Sequence, residues 1–226
     1  MFGFIVNTLT VLAGGTLGVL AGGKLADKYK SIVLNALGLI TILIGIRMAL
    51  KTNEVMIVVA SMVVGGLIGQ WLHIEEGLER IGEYLKERVR SEGKDFVLGF
   101  VTASLLFCVG PMTVVGSFED GLYGKGELIY IKSIMDAFAG MALAAALGPG
   151  VIFSAIFVFI FQGALTLLAR YFQNLLSEPV VTEMSATGGV ILLGIAINLL
   201  GLSKIKVGNF LPALVLAAVI AKIMVK

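Results

Sequence analysis

The chain has 226 residues, of which 58% are hydrophobic and only 14% charged, with a mean hydropathy of +1.01. Soluble domains carry about a quarter charged residues, so the composition excludes an ordinary soluble globule. A net charge of +2 gives no sign of a nucleic-acid or acidic partner, and a single cysteine, Cys108, excludes an internal disulfide.

Eight apolar runs follow in chain order: 2–20, 32–50, 55–72, 96–116, 128–147, 151–168, 184–202 and 210–225. Each approaches the roughly 20 residues that cross about 30 Å of hydrocarbon as a helix. None alternates in polarity as a barrel strand does. The first run lacks a charged leader and stays apolar too long for a signal peptide, so it reads as the first span. The fold class is therefore an all-α integral membrane protein of about eight transmembrane helices, forming one transmembrane domain over 1–226.

Residues 73–95 are the one strongly charged segment. Ile74, Leu78, Ile81, Leu85 and Val89 form a stripe at spacings of three or four, with charges such as Glu76 and Arg80 around it. That pattern predicts an amphipathic helix at the membrane surface. Residues 119–127 read as a Gly-rich, acidic turn. With eight spans, ten Lys and Arg residues fall on one side (24, 28, 30, 80, 86, 88, 90, 94, 204 and 206). Six fall on the other: Lys51, Lys125, Lys132, Arg170, Lys222 and Lys226. The more basic side is expected to be cytoplasmic, placing both termini outside.

The stretch "FGFIVNTLTVLAGG" at 2–15 lies over "LGFVTASLLFCVGP" at 98–111, pairing Gly3 with Gly99, Phe4 with Phe100, Thr8 with Ser104 and Gly14 with Gly110. "KSIVLNALG" from Lys30 then lies over "KSIMDAFAG" from Lys132, while the third pair of spans matches weakly. Three spans separate the copies, so equivalent helices would face opposite ways. The expectation is an inverted repeat of 2–72 and 96–172, with 184–225 as an additional helix pair. Pro111 removes a backbone donor and Gly110 frees the bend, so the fourth span should break there, with a matching weak point at Gly14-Gly15. Broken helices at corresponding places point to a midplane binding site.

An ionisable group deep in a span costs at least about 2.5 kcal/mol on insertion scales, which makes Asp136 the leading candidate for a cation or proton site. Its plain alternative is a pairing with Lys132, one helical turn away. Asn35 lies within one position of Asp136 in the repeat. Glu119 and Asp120 follow the break and would sit at a pathway mouth, raising local cation concentration. The repeat-matched Thr8 and Ser104 are candidate polar contacts, Gly110 and Pro111 form the break, and Gln162 belongs to a wider polar set with Asn7, Thr10, Thr102, Thr113 and Asn198. Side chains of that set also serve plain helix packing. Gly14, Gly18 and Gly22 make a double GxxxG ridge, suited to packing inside the fold or to a homodimer seam rather than to a ligand.

His73, the only histidine, lies in the charged connector, so neither a zinc motif nor an intramembrane Ser–His dyad can form. No phosphate-binding loop, dinucleotide fingerprint or C-x-x-C is present. The expectation is a non-enzyme without cofactor or metal.

"CVGPMTVVGSFEDGL", then "KSIMDAFAGM" and "GPGVIFSAIFVFIFQGAL", resemble the YqgA and YdfK-like family of bacterial multi-pass membrane proteins, a domain of unknown function. "EMSATGGVILLGIAINLL" and "KIKVGNFLPAL" extend the resemblance over essentially the whole chain, with Phe118 a departure where small aliphatics are usual. The resemblance implies a bacterial inner-membrane location and a compact single-domain fold, but no activity, substrate or site.

The residues themselves support a secondary transporter or ion-conducting protein for a small solute or ion. A membrane scaffold or regulatory partner acting through helix contacts is the alternative. The partners expected are the lipid bilayer, the small solute or ion, and a homodimer copy along the glycine ridge.

Overall fold

The computed structural model describes residues 2–22, 27–172 and 177–224. Lys24 and Lys226, both used in the charge comparison, lie outside them. Among the described residues the regular elements are all helical. They are α1 (Gly3–Gly22), α2 (Asp27–Ala49), α3 (Val55–Leu72), α4 (Ile74–Arg88), α5 (Phe96–Val109), α6 (Pro111–Tyr123), α7 (Glu127–Leu147), α8 (Gly150–Phe172) and α9 (Glu178–Leu199). A 3-10 turn (Val207–Phe210) then leads into α10 (Leu211–Met224).

Seven of these segments are long and apolar enough to span a bilayer, and α5 with α6 forms a pair bent by 60°. Packing fixes their directions. On α1, Gly14, Gly18 and Gly22 face the backbones of Ala137, Met141 and Ala145, so α1 and α7 run parallel. Gly3 meets Asp120 near the end of α6, and Phe96 at the start of α5 meets Gly150 at the start of α8. The α5–α6 pair therefore enters on the face where α8 begins and leaves on the face where α1 begins. That makes it one broken crossing, the fourth of eight, rather than a re-entrant loop. Gly69 against Asn209 and Gly65 against Ala213 set α10 antiparallel to α3. The start of α1 and the end of α10 thus share a face, while α4 lies on the other.

One expectation changes here. α1 is one uninterrupted helix, so Gly14-Gly15 is not a break. A Cβ at Gly14 or Gly18 would sit 2.2 Å from a carbonyl oxygen of α7, so these glycines are there for close helix approach. The ridge packs inside the fold against α7, one of the two roles expected of it. The helix pairing among the described residues does not confirm the inverted repeat. Inverted halves would mirror α1-on-α7 as α5–α6 on α2, whereas α2 packs on α9 and α7, and α5 packs mainly on α8.

α5 is the innermost helix, with eleven of its residues buried, Phe100, Leu105 and Phe107 among them. Two acidic side chains tie other helices together. Glu183 of α9 accepts from Thr52 Oγ1 and from the amides of Asn53 and Glu54, capping α3. Glu75 accepts from Gly208, at the entry to α10, and its own amide donates to Asn209 Oδ1 at 2.8 Å. A carboxylate at a helix N-terminus satisfies free amides and complements the helix dipole.

Candidate functional site

Gly3, Asn7, Val11, Gly14, Gly18 and Gly22 fall on one buried stripe of α1, each step three or four residues. The stripe that packs α1 onto α7 and α8 therefore carries one amide inward. Asn7 Nδ2 donates to Asp136 Oδ2 at 3.0 Å and to Gln162 Oε1 at 3.1 Å. Lys132, one turn before Asp136 on α7, donates to the same Oδ2 as an ion pair. All four side chains are buried. The Lys132 ammonium also lies 5.9 Å from the centre of the Phe107 ring on α5, within reach of a cation–π interaction. Four helices thus converge on one polar cluster inside an apolar bundle.

The hydrogen-bond inventory is incomplete in an informative way. Asp136 only accepts when ionised, which fixes the Asn7 amide with its NH2 toward it. That leaves Asn7 Oδ1 and Gln162 Nε2 buried without a partner in the protein. One acceptor and one donor stand open beside a Lys–Asp pair.

The break in the fourth crossing adjoins this cluster. Gly110 is extended (φ −71°, ψ 147°) and Pro111 is the first residue of α6, where its missing amide hydrogen costs nothing. The Thr113 hydroxyl donates to the freed Phe107 carbonyl at 2.8 Å. Gly188 lets α9 pass so close that a Cβ there would be 2.8 Å from the Val109 oxygen. Space between Val109, Val114 and Met184 is only about 10 Å³. Protein thus packs closely on the α9 side of the break, while Gly110 itself is half-buried with open space at its Cβ position.

Other predicted residues fall elsewhere. Asn35 is exposed on α2, away from the cluster. Thr8 points off the buried stripe and donates to its own helix at Phe4 O, 2.8 Å. Ser104 is buried on α5 one turn before Phe107 but bonds neither Thr8 nor the cluster. Glu119 and Asp120 are on helix α6, which continues to Tyr123, so the predicted turn shrinks to the stretch after it. Glu119 is half-buried. Asp120 is buried and accepts the Gly3 amide at 2.9 Å, pinning the start of α1 rather than lining an open mouth. Lys132, counted as a loop cation, is inside α7.

A model for a family described as a protein of unknown function, DUF554, matches residues 2–222. The chain belongs to that family. It is 27% identical over 224 residues to the uncharacterized membrane protein YdfK of Bacillus subtilis (strain 168), covering 97% of this chain and 95% of YdfK. It is 28% identical over 222 residues to the uncharacterized protein YqgA of Escherichia coli (strain K12), covering 96% and 94%. No solved structure matches. With its apolar helices and a relative named as a membrane protein, this member of the DUF554 family is a multi-span membrane protein.

Proposed function

We propose that the chain is a secondary transporter or ion-conducting protein for a small polar solute or ion, with Asn7, Lys132, Asp136 and Gln162 as its site. The supporting observation is the buried Lys132–Asp136 pair flanked by two amides that still hold a free acceptor and a free donor. Removing two charges from water costs several kcal/mol per ion, and replacing such a pair by apolar residues is often stabilising. Packing alone therefore gives little reason for one here. A ligand that meets Asn7 Oδ1 and Gln162 Nε2, or a proton or cation that competes with Lys132 for Asp136, supplies one.

The protein sits in the bacterial inner membrane, with the α4 face in the cytoplasm and both termini outside. Moving Lys132 into the membrane leaves ten basic residues against five in the charge comparison, which strengthens that orientation. The test is flux in proteoliposomes across a panel of protons, ions and small metabolites. Asp136→Asn should abolish flux while the protein stays folded, and undiminished flux would remove Asp136 from the mechanism.

A scaffold or regulatory partner is the second reading, favoured by the close packing of α9 against the end of α5, where a Cβ at Gly188 would lie 2.8 Å from the Val109 oxygen. Absence of flux for every solute in the panel, with binding of a second membrane protein, would select it.

A further inference from the structure

Where α3 meets the segment leading into α10, on the α4 face, the surface holds a groove of about 640 Å³. Its walls change character along their length. At the deep end Val63, Gly66 and Leu67 of α3 line an apolar slot with Phe210, and a Cβ at Gly66 would lie 2.7 Å from the Phe210 ring, so the ring packs directly against the helix there. From Val63 to Gln70 is about 10 Å along the helix axis. Leu67 is 68% exposed and Trp71, just beyond it, 77% exposed, so this side of the slot opens onto hydrocarbon with an indole at interface depth.

The shallow end is basic. Gln70 and Asn209 are there too, but they bond each other at 3.0 Å, and Asn209 Oδ1 is taken by Glu75. What remains for a ligand is Lys204 and Lys206. Lys206 gives one of its three N–H donors to Glu76 and stays 54% exposed, and Lys204 is exposed with no acid partner among the described residues.

We propose that this groove binds an anionic glycerophospholipid. Its phosphate sits on Lys204 and Lys206, and one acyl chain lies along the apolar wall that Val63, Leu67 and Phe210 form. Free phosphate would leave the apolar slot bare, and a zwitterionic lipid would set its own cation beside the two lysines.

Native mass spectrometry of the purified full chain in detergent tests this, with dioleoyl phosphatidylglycerol or dioleoyl phosphatidylcholine added at equal concentration. Each lysine near a charged headgroup contributes about a five-fold preference. With Lys206 paired to Glu76, the phosphatidylglycerol adduct should accordingly exceed the phosphatidylcholine adduct by about five-fold through Lys204, falling to near parity in Lys204→Gln and in Lys204→Gln/Lys206→Gln. Lys204 makes no contact the fold needs, so the single variant keeps the test valid if the double variant unfolds. Leu67→Ser, which makes the exposed apolar wall polar and leaves both lysines, should weaken retention of both lipids, and tail-less glycerol phosphate should not compete. Equal retention of the two lipids by the unaltered chain, an unchanged ratio in Lys204→Gln, or displacement by glycerol phosphate would each overturn the proposal.

Discussion

Asn7 on α1 and Asp136 on α7, 129 residues apart, meet through a buried 3.0 Å hydrogen bond to the same carboxylate oxygen that Lys132 holds. The contact joins the helix of the glycine ridge to the buried Lys132–Asp136 ion pair. Any shift of α1 against α7 must therefore alter the partners of Asp136, which couples helix packing to the charge state of the site.

Breaking that pair should be worse than removing it. Lys132→Met leaves a buried carboxylate without its cation and should cost about 3–5 kcal/mol. Lys132→Met/Asp136→Leu, which removes both charges, should recover most of that stability while flux stays absent. Thermal melts in detergent beside flux assays separate the two effects, and a double variant no more stable than the single one would show that the pair is not coupled.

The glycine ridge should tolerate no side chain. Gly18→Ala places a methyl 2.2 Å from the Met141 oxygen and should cost about 1–3 kcal/mol through overpacking. At Gly77 on α4 a Cβ would meet nothing within 4 Å, so Gly77→Ala should instead stabilise by up to about 1 kcal/mol through helix propensity. Opposite shifts in melting temperature are the expected result.

Glu183 should govern the α2–α3 corner. Glu183→Ala removes the acceptor of the Asn53 amide and of the Thr52 hydroxyl and leaves the Glu54 amide only its bond to Thr52 Oγ1, at a cost of about 1–3 kcal/mol. Hydrogen exchange should quicken at residues 53–57 and stay unchanged at α10.

The α4 dock should respond to pH with a definite sign. Donation from Lys206 holds the Glu76 carboxyl below its ordinary 4.5, and the same bond holds Lys206 above its ordinary 10.5. The Glu76 contribution is present above pH 4.5 and lost as pH falls through its lower folded value. That of Lys206 is present below 10.5 and lost as pH rises through its higher one. Burial pushes Glu75 the other way, so its contribution is present below 4.5 and lost as pH rises through its raised value. The difference in melting temperature between the unaltered chain and Glu76→Gln should be flat near neutrality and shrink below about pH 4.5.

Much of the architecture is legible in the sequence because it is local. Apolar runs of span length, the amphipathic stripe of 73–95 and the Gly110-Pro111 break each depend on a few neighbouring residues, and each appears in the helices α1–α10. Asp136 and its partner Lys132 are legible from depth and an i,i+4 spacing. Asn7 is harder to find, because the repeat alignment favours Thr8, the next residue, and one residue turns a helical side chain by about 100°. Extending the ridge of Gly14, Gly18 and Gly22 backward through Val11 reaches Asn7 and Gly3, which is the available signal.

Glycine also misleads in one stretch. Gly116 and Gly121 suggest a loop around Glu119 and Asp120, yet Gly121 lets α6 pack with a Cβ position 2.2 Å from the Thr166 oxygen of α8. In a bilayer a helix keeps its backbone bonds internal whatever its glycine content, because no water replaces them. Glu183 is invisible in the sequence because the helix it caps lies 130 residues away, and nothing near Glu183 marks that contact.

A transport site at Asn7, Asp136 and Gln162 must be reachable by solutes from water, and thiol accessibility measures this without knowing the solute. In a Cys108→Ala background, Gln162→Cys in membrane vesicles would be exposed to a small, membrane-impermeant methanethiosulfonate from each side in turn. Modification from at least one side is expected, under conditions where buried Cys108 of the unaltered chain stays unmodified. A Gln162→Cys thiol as inert as Cys108 from both sides, while Tyr123→Cys at the surface reacts fully, would rule the pathway out.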